Sequence, residues 1–351
     1  MSEIPDTLHR LLSTPGPSGY EEPAAAVWRQ AADFAELAFD GIGSTIATIG
    51  AAEASPLVAV VGHIDEIGLV ITHIDDKGFI YFGAIGGWDA QILVGQRVEV
   101  QTKDGPVLGV AGRKAIHVLD SEARKKAVEL KSLHIDIGAG DKDRALELVR
   151  IGDPIVIAAE PQAVDGSRLV SRSMDNRLGA YVALESLRRV HERGKLTGRM
   201  AAIASVQEEI GLNGAGTSAF AARPDVAVAI DVCHATDAPG MSENELGSHG
   251  LGSGPSIGRG STLSPQVFEL LCETAERLGI AHTIEGSGRR TGTDADAIQI
   301  SRSGIPTGLV SVPLRYMHSP VEMVDLEDLE QVIELVAGFA ESLEPSLDLS
   351  R

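Results

Sequence analysis

Four apolar runs that read as buried strands each end on residues able to ligate a metal or move a proton. Leu57 to Val61 is apolar at every position, as a strand covered on both faces requires, and runs into Gly62-His63-Ile64-Asp65-Glu66. Met200 to Ile203 leads through Ser205 to Glu208-Glu209-Ile210-Gly211, and Gly211 to Gly216 reads as a turn into a helix. Val226 to Ile230 ends on Asp231, and Thr307 to Val312 is followed by a short loop to His318. Helical periodicity fills the intervals. Leu178 to Val190 repeats Ala180, Ala183, Leu184, Leu187 and Val190 on one face, and Glu21 to Phe34, with Pro23 early, makes an amphipathic helix. Ser264-Pro265 opens a helix that Gly279 closes, and Asp325 caps a final helix with Leu329, Val332, Val336 and Phe339 on its apolar face. Strand and helix in alternation predict an α/β fold, with a mainly parallel central sheet covered by helices.

From about residue 71 to 165 the texture changes. Short β-prone runs recur between glycines: Phe79 to Phe82, Arg97 to Thr102, Val107 to Val110, His134 to Ile137 and Pro154 to Ala158. Asp104-Gly105 between two of them signals a hairpin. Ser121 to Leu130 and Asp141 to Val149 are the two helical patterns that interrupt. The expected organisation is a larger domain of residues 1–70 plus 166–351, with a small β-rich domain, 71–165, inserted into it.

Composition narrows the class. The 351 residues are 43% apolar and 23% charged, in the range of soluble globular proteins. No run of 18 apolar residues predicts a membrane span, and the N-terminal MSEIPDTLHRLL has no basic and apolar signal pattern. A net charge of −20 argues against nucleic acid and anionic membranes as partners. Two cysteines, Cys233 and Cys272, are too few for a disulfide framework and fit a reducing compartment, so the cytoplasm is expected.

In parallel α/β sheets, sites form outside the carboxyl ends of strands. His63, Glu208-Glu209, Asp231 and His318 all follow such ends, and Asp175 precedes the Leu178 helix in Ser173-Met174-Asp175-Asn176-Arg177. Two imidazoles with several carboxylates suit zinc, cobalt or manganese. His63 and Asp65 alternate along one strand face, which lets Asp65 accept the second ring proton of His63. Taken singly, each has a plainer reading: Asp175 as a helix cap, Asp231 as a strand-end turn, His318 as a loop residue. Cys233 and His234 lie beside Asp231, the first as a soft ligand if the strand continues and the second as an outer partner. His73, His117, His134, His191, His249 and His282 lack such context.

The stretches Thr14-Pro15-Gly16-Pro17-Ser18-Gly19-Tyr20-Glu21, Gly62-His63-Ile64-Asp65-Glu66-Ile67-Gly68, Ser173 to Arg177, Gln207 to Gly211 and Arg315-Tyr316-Met317-His318-Ser319 together resemble the TET-type (deblocking or glutamyl) metalloaminopeptidases, relatives of which also carry the label endoglucanase or cellulase. The resemblance spans nearly the whole chain. It implies two divalent ions per subunit, zinc or cobalt first and manganese second. His63, Asp175 and Asp231 would hold one ion, and Asp175, Glu209 and His318 the other, with Asp175 bridging. Glu208 would be the general base and Asp65 the carboxylate behind His63. The implied activity removes N-terminal residues from short peptides with a free amine, through a hydroxide bridging the ions. The β-rich insertion would mediate dimer contacts, and the dimers would assemble into a dodecamer. Cys233-His234 departs from the smaller or less polar residues expected after Asp231.

Arg289-Arg290, just before Thr291-Gly292-Thr293-Asp294-Ala295, offer positive charge to an acidic first side chain, or simply balance an acidic surface. A glycosidase also needs two carboxylates, but has no use for His63 and His318, and 4% aromatic residues leave few platforms for sugars. A non-catalytic metal-stabilised scaffold would not need Glu208. A related binuclear deacylase or carboxypeptidase is the nearest enzymatic alternative.

Overall fold

The computed structural model describes residues 4–346 and 349. Its centre is an eight-stranded sheet in the spatial order Glu36–Phe39, Thr45–Ile49, Arg199–Ser205, Leu57–His63, Val226–His234, Thr307–Leu314, Ser256–Gly260 and Thr283–Ser287. The four middle strands, from Arg199–Ser205 to Thr307–Leu314, are mutually parallel. They are also apolar and almost wholly buried, because helices cover both faces. The fold is therefore the expected α/β arrangement with a mainly parallel sheet. Antiparallel strands sit only toward the flanks. Among the described residues no helix is long and apolar enough to cross a membrane.

The helix Met174–Arg193 lies against the middle strands and buries Ala180, Ala183, Leu184, Leu187 and Val190, the face read from its periodicity. Its first turn is irregular. Asp175 and Asn176 have non-helical dihedrals, so regular helix begins just beyond Asp175. Close approach to the His63 strand depends on two glycines. A Cβ on Gly62 would stand 2.1 Å from the carbonyl carbon of Gly179 and 2.4 Å from the amide of Ala180, both backbone atoms. Gly62→Ala must push helix and strand apart. We expect it to be destabilising at or above the top of the roughly 1–3 kcal/mol typical of overpacking, read as a lower midpoint in urea unfolding.

A second sheet closes into a barrel of Gly68–Ile74, Ile80–Ile85, Arg97–Thr102, Gly105–Gly112, His134–Asp136 and Pro154–Ile157, filled by residues such as Leu69, Ile71, Val98, Val100, Ile135 and Ile155. The hairpin turn falls one residue earlier than its Asp-Gly signal: Thr102 pairs with Gly105, leaving Lys103 and Asp104 in the turn. Ser121 to Leu130 is not an α-helix. Only the short 3₁₀ turns Ala123–Lys125 and Leu130–Ser132 form there, because the segment is largely exposed and has no apolar face to bury. Lys142–Leu148 is helical, capped by Asp141.

A third, three-stranded antiparallel sheet was not foreseen. It joins Gln162–Ala163, Arg168–Ser171 and Glu322–Asp325, with Ser171 opposite Glu322. These strands are too short to carry a readable alternation, yet they bring the Asp175 and His318 loops together.

Candidate metal centre

His63 is the last residue of its strand and its ring is buried. Nδ1 lies 3.4 Å from Asp65 Oδ1, and Nε2 lies 3.3 Å from Asp175 Oδ1 and 3.6 Å from Glu208 Oε2. Asp65 stands behind the imidazole with its backbone carbonyl, 3.3 Å from Nδ1, as well as its carboxylate, but strand alternation does not place it. The strand stops at His63, and Ile64 instead donates its amide to Ser205 O, 2.8 Å away. Asp65 is held from the other side: its carboxylate accepts from Ser18 Oγ (2.6 Å) and from the amides of Glu208 (3.1 Å) and Glu209 (3.2 Å). One buried side chain thus ties the His63 strand end to the Glu208-Glu209 turn.

Asp175 stands between the two imidazoles. Its Oδ1 faces His63, and its Oδ2 lies 3.3 Å from His318 Nε2, which is also 3.3 Å from Glu209 Oε1. His318, half-buried with a left-handed backbone (φ 60°), donates from Nδ1 to the carbonyl of Gly87 at 2.9 Å. That bond, from a loop following a barrel strand, leaves Nε2 free to face Asp175 and Glu209. Asp231 is buried within the strand Val226–His234 and accepts from the amide of Val232 (2.7 Å). Two groups bring their ligand atoms within 4.8 Å of one another: His63, Asp175 and Glu209, and His63, Glu208 and Asp231. The first group contains His63 where the resemblance puts His318, and the second contains Glu208 where it puts Asp175.

The charges are unbalanced. Burial, together with Asp231, Asp294 and Glu209, pushes the Glu208 carboxyl up to about 9 despite His63. Burial and the charge of Asp175 raise Asp231, and the same two causes raise Glu209. Asp175 goes the other way: hydrogen bonds from His318 and His63 outweigh its burial and hold it far below the carboxylate range. Asp175 and Glu209 lift His318 to about 11, and the surrounding carboxylates keep His63 above its usual value although burial opposes this. Glu209 Oε1 is buried, and His318 Nε2, 3.3 Å away, is the group it faces. A pocket of mutually repelling acids around two imidazoles fits divalent cations.

Several partners escaped sequence reasoning. Asp294 is buried and accepts from Ser205 Oγ at the end of the Glu208 strand. Glu322 accepts the amides of Met174, Asp175 and His318. Glu66 pairs with Arg172 and Arg177, and Arg177 also donates to the carbonyls of Leu11, Thr14 and Ile64. Glu66 and Arg177 lie inside the quoted motifs, so their position was a signal; Glu322 offered none. Arg289 and Arg290 are exposed, and among the described residues no ion pair joins them to the cluster. The strand does continue past Cys233, but the thiol is buried and pushed up by that burial, and His234 is exposed.

A family model described as M42 glutamyl aminopeptidase matches residues 43–335. The chain belongs to that family. Among its relatives, a lysyl aminopeptidase of Pyrococcus furiosus is 33% identical over 350 residues, 97% of each chain. The TET aminopeptidase of the marine sediment archaeon Thaumarchaeota archaeon SCGC AB-539-E09 superposes with a TM-score of 0.92 at 32% identity, covering 97% of this chain and 96% of that one. The TET1 peptidase of Pyrococcus horikoshii, which can assemble into a tetrahedron or a large octahedral shell, gives 0.85 at 33% identity over 96% and 99%.

Proposed function

We propose that this chain is a metal-dependent aminopeptidase that releases N-terminal residues from short peptides. The observation that carries the reading is Asp175, one oxygen on each of two imidazoles, inside a pocket of buried carboxylates. His63, Asp175 and Asp231 would hold one divalent cation and Asp175, Glu209 and His318 a second, zinc or cobalt by preference and manganese as a third choice. Bound there, the cations would polarise the scissile carbonyl and lower the pKa of water.

The protein's own groups supply the rest. Glu208, beside Glu209 and close to His63, takes the proton of the attacking water and passes it to the departing amine. Asp65 fixes the His63 ring and, through the Glu208 and Glu209 amides, the turn that carries the base. The free amine of the first residue would bind at the metal–carboxylate cluster, and an N-acetylated peptide lacks it.

Residues 1–70 and 166–351 would form the catalytic domain, and 71–165 a dimerisation domain. The barrel's exposed Leu108, Val110, Ile116 and Val118 support an interface on it. Dimers would assemble further into a dodecamer, a closed assembly of the kind that the Pyrococcus horikoshii relative, able to form a tetrahedron or a large octahedral shell, supports. Two free cysteines support the cytoplasm. Arg289 and Arg290 would meet an acidic first side chain; a panel of aminoacyl-anilides preferring leucine over glutamate removes that assignment.

We expect unblocked peptides to be cut and N-acetylated ones spared, with activity lost on chelation and restored by Zn²⁺ or Co²⁺. Chromatography of the released residues is the measurement. Equal cleavage of acetylated peptides points to a deacylase or carboxypeptidase, and activity that survives chelation removes the metal from the mechanism.

A further inference from the structure

We propose that Glu322 is a positioning residue whose carboxylate locks the Asp175 and His318 loops at one spacing, and so sets cation affinity. The inference rests on the metal-dependent reading above. Glu322 is 2% exposed. Its Oε2 accepts from the amides of Met174 (2.7 Å) and Asp175 (3.2 Å), and its Oε1 accepts from the amide of His318 (2.8 Å). The two loops are otherwise far apart in the chain, separated by 147 residues between Asp175 and Glu322.

The small antiparallel sheet explains how one side chain reaches both. Ser171 pairs with Glu322 across Arg168–Ser171 and Glu322–Asp325, so the Asp175 loop leaves one strand just where the His318 loop enters the other. Ser173, Tyr316 and His318 all adopt left-handed backbone (φ 58°, 61° and 60°), which non-glycine residues hold only when their surroundings impose it. Glu322 is the group that reaches the backbone of both segments. With Gly87 O on its Nδ1, His318 is fixed at ring and backbone alike.

The chemistry calls for a carboxylate. Three N–H donors converge on two oxygens, and both must accept. A glutamine has one acceptor oxygen; its NH₂ would face an N–H and release one of the two loops. Burial and the charge of Asp175 raise the Glu322 carboxyl well above its usual value, so an acid here is a liability that Gln would remove at nearly equal volume. Glutamate at this place is explained by holding two loops, not by filling space.

The test compares the full-length wild type with Glu322→Gln and Glu322→Asp after chelation and dialysis. Zn²⁺ is titrated in by calorimetry, and backbone hydrogen exchange is followed by mass spectrometry on the cation-free proteins. We expect Glu322→Gln to bind at least one Zn²⁺ about 10–100-fold more weakly, as for other partners of metal ligands. Exchange should rise about tenfold at Met174 and Asp175 or at His318, and stay unchanged in the helix Pro265–Leu278. In the loaded enzyme kcat should fall more than KM rises. Glu322→Asp keeps both oxygens but pulls them back by one methylene, and should show a smaller loss; it carries the test if the Gln variant does not fold. Wild-type Zn²⁺ affinity in a folded Glu322→Gln protein overturns the inference, as does a loss accompanied by faster exchange throughout the chain. A wild type that takes up no Zn²⁺ overturns the metal-dependent reading itself, and with it this inference.

Discussion

Glu208→Gln is expected to lower kcat by about 10²–10⁴-fold with the metal content of the wild type, the loss typical when a positioned general base is removed. The amide keeps the volume of the side chain and cannot take a proton. Glu208 is fixed more tightly than a loop glutamate should be: its backbone amide is bonded to Asp65 Oδ1, and its Oε2 is 3.6 Å from His63 Nε2. The variant also separates two roles the geometry allows, since His63, Glu208 and Asp231 are close enough to hold a cation by themselves. As a base, Glu208 can be replaced without changing the metal content. As a ligand, it cannot, and elemental analysis of Glu208→Gln would then find one cation fewer. Normal turnover with normal metal content would exclude both.

Asp175→Asn should be more damaging, because on the proposed arrangement it would strike both cations at once. Each carboxylate oxygen faces a different imidazole, 3.3 Å away in both cases. An asparagine offers one oxygen to one side and an NH₂ to the other, so an imidazole loses its acidic partner whichever way the amide turns. The expected metal content drops below one per chain, and the affinity loss exceeds the roughly 10–100-fold that follows removal of an outer partner. A single replacement of His318 is expected to cost one cation and spare the other, and one of His63, which lies in both ligand groups, to lower the metal content at least as much. Equal metal content in Asp175→Asn and wild type, by elemental analysis after dialysis, would remove Asp175 from the bridging position.

The parallel core was legible because burial on both faces leaves a plain trace: Leu57 to Val61 and Val226 to Ile230 have no polar position, and helices such as Pro265–Leu278 carry their caps in sequence. Ser121 to Leu130 misled because a charged helical pattern with nothing to pack against gains too little from folding as a helix. The small sheet around Glu322–Asp325 escaped because strands of two to four residues have no period to read.

The candidate ligands were visible for a reason particular to this architecture. A residue at or near the carboxyl end of a parallel strand lies at one edge of the sheet whatever its sequence distance, so His63, Glu208, Glu209, Asp231 and His318 could be gathered from where the apolar runs end. Glu322 and Asp294 could not. Their partners are backbone amides and a serine remote in the chain, and backbone amides have no signature in a sequence.

The amino-acid sequence by itself determined the class of fold, the sheet edge where the acids and imidazoles collect, and the chemistry that such a mixture of donors favours. Those follow from local hydrophobicity and side-chain identity. Only the tertiary structure decided which oxygen faces which imidazole, that Asp175 stands between His63 and His318, and that Asp65 and Glu322 brace the loops around them. Such contacts depend on ångström-scale placement of segments that meet only after the chain has folded, and distance in space is not encoded in distance along the chain.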